Sequence, residues 1–108
     1  MATVDGMLGQ AAPAAATLTT LYTVPGGKNS TTRLLLANRS ETEDSVRIAV
    51  SPSGASLDKS HYLAFDQPLP GHGSKVSAPI KLRAADVVRV YSAIGQTSFG
   101  LNGSEEDN

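Results

Sequence analysis

The chain contains no cysteine and no tryptophan, and its aromatic residues number only three tyrosines and two phenylalanines in 108 positions. Without cysteine, disulfides and thiolate chemistry are excluded, which fits synthesis in a reducing cytosol. Without tryptophan, a sugar cleft built on Trp stacking is not available. Only two histidines occur, His61 and His72. A cupin-like enzyme with a multi-histidine metal site is therefore disfavoured. No apolar run approaches the roughly 18–20 residues of a membrane span. No cationic stretch precedes an apolar run at the N-terminus, so no secretory signal is expected. A stretch matching the i, i+3, i+4, i+7 spacing of an amphipathic helix is missing as well.

Charge is equally uninformative about a polyanionic partner. The formal net charge is −1, and the basic residues are scattered rather than striped. That pattern excludes the footprint of a nucleic-acid binder. Glu105, Glu106 and Asp107 crowd the end and read as part of a solvated acidic tail, residues 104–108. At the other end, residues 1–16 are small and low in complexity, with Pro13 interrupting an alanine run. They read as a flexible N-terminal arm, either disordered or ordering only against a neighbouring subunit.

What is present is period-two alternation between clusters of turn residues. Thr17 to Val24 reads as a first strand, closed by Pro25-Gly26-Gly27-Lys28-Asn29. Ser30 to Asn38 is a second, and its Leu34-Leu35-Leu36 centre predicts a central position covered on both sides. Asn38 to Asp44 is polar throughout and reads as an exposed loop. Val46, Ile48 and Val50 alternate with Arg47 and Ala49 in a third strand. After a Pro/Gly/Ser loop, His61 to Asp66 forms a fourth, with Leu63 and Phe65 as expected core residues. Residues 67–73 carry two prolines and two glycines and are not expected to continue a ladder. Val76 to Leu82 alternates around Pro79, which suggests an edge strand. A turn at residues 83–86 leads into Val87–Tyr91 and a closing strand through Phe99. Seven or eight short strands in one domain, residues 17–103, predict an all-β fold: a single antiparallel β-sandwich or jelly-roll-like barrel.

Candidate chemistry is thin. Asp66 could meet His61 or His72 in space, but a turn-capping or surface role suits it better. Gly26-Gly27-Lys28 lacks the full phosphate-loop spacing and reads as a β-turn. Glu41, Glu43 and Asp44 lack the length and glycine placement of a calcium loop and read as solvated. Tyr22, Tyr62 and Tyr91 offer either a recognition patch or half-buried packing. Asn29-Ser30-Thr31 and Asn38-Arg39-Ser40 fit the glycosylation pattern, which has no meaning without secretion. No nucleophile-elbow sequence occurs. No residue is assigned to catalysis, to a cofactor or to a metal.

Five stretches carry a resemblance: Leu21-Tyr22-Thr23-Val24-Pro25-Gly26-Gly27, Ala37-Asn38-Arg39-Ser40, Val46-Arg47-Ile48-Ala49-Val50, Tyr62 to Pro70, and Asp86 to Gly103. Their order resembles a family of short proteins encoded among the structural genes of tailed bacteriophages and prophages, over about residues 17–104. Ala85 stands where the family pattern has glycine. The resemblance implies a virion component without catalytic activity, present in many copies as capsid decoration or as a neck, tail or fibre part. Implied partners are further copies of itself, in a compact homo-oligomer such as a trimer anchored by the 1–16 arm, and other virion proteins such as major capsid or tail proteins. No nucleic acid and no membrane are implied as partners. The alternative is a host-surface or glycan-binding module reading through loops at residues 38–44, 51–60 and 67–73, since loops on a rigid β scaffold often carry binding.

Overall fold

The structure, a computed structural model, describes residues 3–107. Nine strands follow one another: β1 (Thr3–Ala11), β2 (Thr19–Thr23), β3 (Lys28–Asn38), β4 (Asp44–Ser51), β5 (Tyr62–Leu69), β6 (Ser74–Val76), β7 (Ile80–Leu82), β8 (Val87–Ser92) and β9 (Thr97–Asp107). They form two antiparallel sheets. Sheet A has the order β1-β9-β3-β6, with β7 also pairing β3, and sheet B has the order β2-β8-β4-β5. The protein is an all-β sandwich, as the alternation of its sequence predicts.

The longest ladder joins β3 and β9 without a register break, from Lys28 opposite Asp107 to Asn38 opposite Thr97. Period two then puts Leu34 and Leu36 on the inner face, opposite Leu101 and Phe99. Sheet B answers with Val46, Ile48, Val88 and Val90, and these side chains form one buried cluster. Removing a Val or Leu side chain of this kind from water contributes about 1.5–3 kcal/mol. Gly103 shows how closely the two long strands approach: a Cβ there would sit 2.1 Å from the carbonyl oxygen of Thr31.

Several elements differ from the sequence expectation. Residues 3–11 of the expected flexible arm form β1, an edge strand on β9. Leu8 and Ala11 pack against the core, and the amide of Ala16 donates to the Ser92 carbonyl at 2.9 Å. The expected acidic tail is also paired: residues 104–107 belong to β9, where Glu105 accepts from the Tyr22 phenol and Asp107 meets Lys28. Glu106 and Asp107 are nevertheless exposed, so the segment is paired without being withdrawn from solvent. Met1, Ala2 and Asn108 lie outside the described residues.

In β5 the faces are reversed: Leu63 and Phe65 are 59% and 57% exposed, and Ala64 is the residue packed on the core. The expected break at residues 67–73 begins later, because Gln67, Pro68 and Leu69 continue β5 opposite Val46, Ser45 and Asp44. Pro68 is tolerated because β5 is an edge, where the missing N–H breaks no second ladder. The Val76–Leu82 strand divides into β6 and β7 around Pro79, both on the open edge of β3.

Ala85, where the resemblance led to an expectation of glycine, has φ +70°. The turn keeps its form: the Asp86 amide donates to the Arg83 carbonyl, and the Asp86 carboxylate accepts from the Arg83 amide at 2.8 Å. A non-glycine residue at this φ costs roughly 1–2 kcal/mol, because Cβ crowds the carbonyl. Ala85→Gly is therefore expected to stabilise the fold by about 1 kcal/mol, after its own entropic cost. A melting temperature several degrees higher checks this; an unchanged or lower one contradicts the strain.

Candidate functional site

Most side chains with chemical potential are spent on holding the fold. His61 ends a short 3₁₀ turn capped by Asp58. Its Nδ1 accepts from the Asp58 amide at 3.1 Å and lies 3.3 Å from Ser51 Oγ. The Ser60 amide donates to the Asp58 carboxylate, and the hydrogen bonds from Ser60 are the main reason its pKa lies below the ordinary value. His72 is exposed at φ +56°, its amide donating to the Ser40 carbonyl. Asp66 meets neither histidine; it binds Arg47. Gly26 to Lys28 is the β2–β3 turn, with Lys28 paired to Asp107. Among the described residues no group of three His, Asp or Glu side chains is placed to hold a metal ion. No helix among them is long and apolar enough to cross a membrane.

Asp44 departs most from its expected role. Of the three acidic residues read as solvated, Glu41 and Glu43 are exposed but Asp44 is 1% exposed. The hydroxyls of Ser92 and Thr97 donate to its Oδ2, and the amides of Ser45 and Ile94 donate to Oδ1 at 2.8 and 3.1 Å. Burial pushes its pKa up, but these four donors outweigh burial and hold it below the ordinary carboxylate value. Asp44 thus ties the start of β4 to the β8–β9 connection. Tyr22 is also buried, its phenol hydrogen-bonded to Ser30 at 2.8 Å and donating to Glu105. Burial first, and then the Glu105 carboxylate, push its pKa up to about 12.

The loops of residues 38–44 and 67–73 are tied to one another. Asn38 Nδ2 donates to the carbonyls of Thr42, Leu69 and Pro70, and the Asn38 amide donates to the Gly73 carbonyl. Asn38 is 3% exposed, so its glycosylation pattern has no accessible acceptor. The 51–60 segment lies elsewhere: Ser53 donates its amide to Asp86, on the turn leading into β8. The three loops do not make one surface.

A different surface is organised, on the outer face of sheet B. Val46 pairs with Gln67 and Ile48 with Ala64, so Phe65 and Asp66 both stand against the single residue Arg47. Such a bulge re-aims side chains, and Asp66 takes φ +51° to make it. The Arg47 guanidinium lies 4.1 Å from the Phe65 ring centre and 4.6 Å from that of Tyr91, while Nε donates to Asp66 at 2.6 Å. Tyr62 meets Phe65 edge to face, with ring centres 5.0 Å apart. Tyr62 and Tyr91 therefore belong to one patch, linked through Phe65 and Arg47, and Tyr22 is not part of it. Beside the patch, between β5 and the β6–β7 edge, opens an apolar cavity of about 290 Å³ floored by Leu34, Leu36 and Ile48. Alternation was the only sequence signal for Phe65, and the bulge inverts its meaning.

No protein-family model and no curated protein matches the chain. Among solved structures, it is similar to a pentameric capsid protein isolated from metagenomic phage sequences, at 17% identity and a TM-score of 0.42. The similarity covers 94% of this chain but 65% of that one, so this chain spans less than two thirds of that protein's length.

The Asp44 cage generates a pH prediction. Its folded-state pKa lies below the unfolded one, so its contribution is present above the ordinary carboxylate pKa of about 3.9 and is lost as pH falls through the folded value. Asp44→Asn should cost on the order of 2–3 kcal/mol at pH 7, by placing an NH₂ against donors. It should also flatten the acid limb of a plot of melting temperature against pH. A variant with wild-type stability and an unchanged acid limb would contradict the cage.

Proposed function

We propose that this chain is a non-enzymatic structural protein of a tailed-phage virion, assembling in many copies on the particle through protein–protein contacts. Capsid decoration, neck, tail and fibre positions are all compatible with this reading. The observation that carries it is the Arg47–Phe65–Tyr62–Tyr91 patch: a preorganised set of interface-type residues, set on a sheet rather than on a loop. Tyr and Arg are the residue types that concentrate binding energy at protein interfaces. A cation held over exposed rings adds about 0.5–1 kcal/mol and fixes the geometry before contact. The fate of His61, Asp44 and Tyr22 supports the same reading, since each is used to hold backbone or core.

Topology supports it as well. β1 pairs β9, β2 pairs β8, and β3 and β4 lie inside them in the two sheets. We read this nested order as that of a double-sheet jelly roll, an architecture shared by viral capsid domains, lectins and cupins. This is fold-level analogy, and it leaves the role to the surface. The second reading, a glycan-binding module on the particle, is favoured by one observation, the 57% exposed Phe65 ring available for stacking.

The test uses particles from the phage or prophage that encodes this chain. Mass spectrometry of purified particles should find it in many copies. Phe65→Ala should stay folded while its incorporation falls about tenfold, the loss of roughly 1.4 kcal/mol. Absence from particles sinks the virion reading. Full incorporation combined with loss of binding to host-surface glycans would move the patch to the second reading.

A further inference from the structure

Among the described residues, sheet A ends in two unpaired edges, and one row of side chains crosses it from edge to edge. Lys81 on β7 lies opposite Thr31, Thr31 opposite Ser104, and Ser104 opposite Asp5 on β1. The row begins in a cation and ends in a carboxylate. Both are exposed, and neither takes part in an ion pair among the described residues.

We propose that copies of this chain join side by side through sheet A, with β1 of one copy pairing antiparallel to β7 of the next and Asp5 set opposite the neighbour's Lys81. This rests on the reading of the chain as a homo-oligomeric virion part and adds the surface that joins the copies. Strand direction permits the arrangement. β1 is antiparallel to β9, β9 to β3 and β3 to β7. A copy displaced along the row therefore presents its β1 antiparallel to the first copy's β7. Hydrogen-bond phase permits it too. Bonded and non-bonded pairs alternate across an antiparallel sheet, and a row of four strands is even, so the alternation continues into the next copy. The β6 rows extend the contact, since Val76, Leu35, Gly100 and Gln10 also lie in one line.

Charge selects this pairing over its competitors. Pairing β7 with β7 about Lys81 would oppose two lysines, and pairing β1 with β1 about Asp5 would oppose two aspartates. Like charges directly opposite each other destabilise a ladder, whereas opposite charges contribute. A lysine on an edge strand is also a common guard against aggregation. The carboxylate in the same row at the far edge turns that guard into a selector for the other edge. The resulting contact is heterologous, so it closes into a ring or continues as a filament.

Light scattering on the full chain over a range of concentrations tests the proposal, with particle incorporation measured alongside. The wild type should show a mass above the monomer. D5K and K81E should each raise the half-association concentration about tenfold, by replacing an attractive cross-strand pair with a repulsive one. Both should keep the wild-type circular dichroism spectrum. The double variant D5K/K81E should regain association. So should an equal mixture of the two single variants, because each then offers the edge its neighbour requires. A wild type that is monomeric throughout, single variants with wild-type mass, or no rescue by the double variant would each overturn the proposal. Unchanged variant masses with particle-bound wild type remove the edge pairing and leave the virion reading standing. Rescue in solution with no protein on particles does the reverse.

Discussion

Eleven residues of β3 and eleven of β9 run side by side without a register break, and the rest of sheet A hangs from that pair. β1 attaches to the free side of β9, and β6 and β7 share the free side of β3. The same ladder sets the inner surface on which sheet B rests, because the Leu34–Leu101 and Leu36–Phe99 pairs supply its half of the core. It also places Glu105 under the Tyr22 phenol, which links β9 to β2 in the other sheet. A change that offset this register by one residue would turn every one of these side chains to the wrong face.

The polar groups divide cleanly between interior and surface. Inside, Asp44, Asn38 and Tyr22 satisfy backbone or hydroxyl partners, and no buried side-chain polar atom among the described residues lacks a partner. Such fully satisfied networks fix one arrangement of the chain. Outside, the organised features are an aromatic–guanidinium patch on sheet B and oppositely charged edges on sheet A. One face and one pair of edges would let a subunit hold its copies and a different partner at once, without competition between the two contacts.

Much of this was legible from alternation and turn residues. β3, β4 and β8 follow as strands from their own side chains, as does the edge position around Pro79, but β3 is covered on one face only, with Thr31, Arg33 and Ala37 exposed on the other. β1 was not legible, because Gly6, Gly9 and Ala11 give the segment little alternation and its reason to extend lies in β9, at the far end of the chain. Phe65 was placed in the core because alternation says which residues share a face but not which face is buried; the bulge at Phe65–Asp66 decided that. Asp44 sits among residues that read as a solvated loop, and its donors Ser92, Ile94 and Thr97 come from about fifty positions away. The candidate patch was half visible in Tyr62 and Tyr91, and Arg47 joined it only through the register of β5.

The pairing of β1 with β9 has a consequence for the order of events during synthesis. Thr3 is made long before its partner Glu106. Closing so long a span early in folding is entropically costly, and sheets dominated by non-local pairs fold on timescales of milliseconds to seconds. Until Thr97–Asp107 leaves the ribosome, β1 and β3 have no strand between them, and Leu34 and Leu36 face water. The final strand works as a latch. Sheet A therefore stays unfinished until Thr97–Asp107 is free, and in that interval the exposed edges of β1 and β3 can pair with whatever strand is nearby, another nascent copy included.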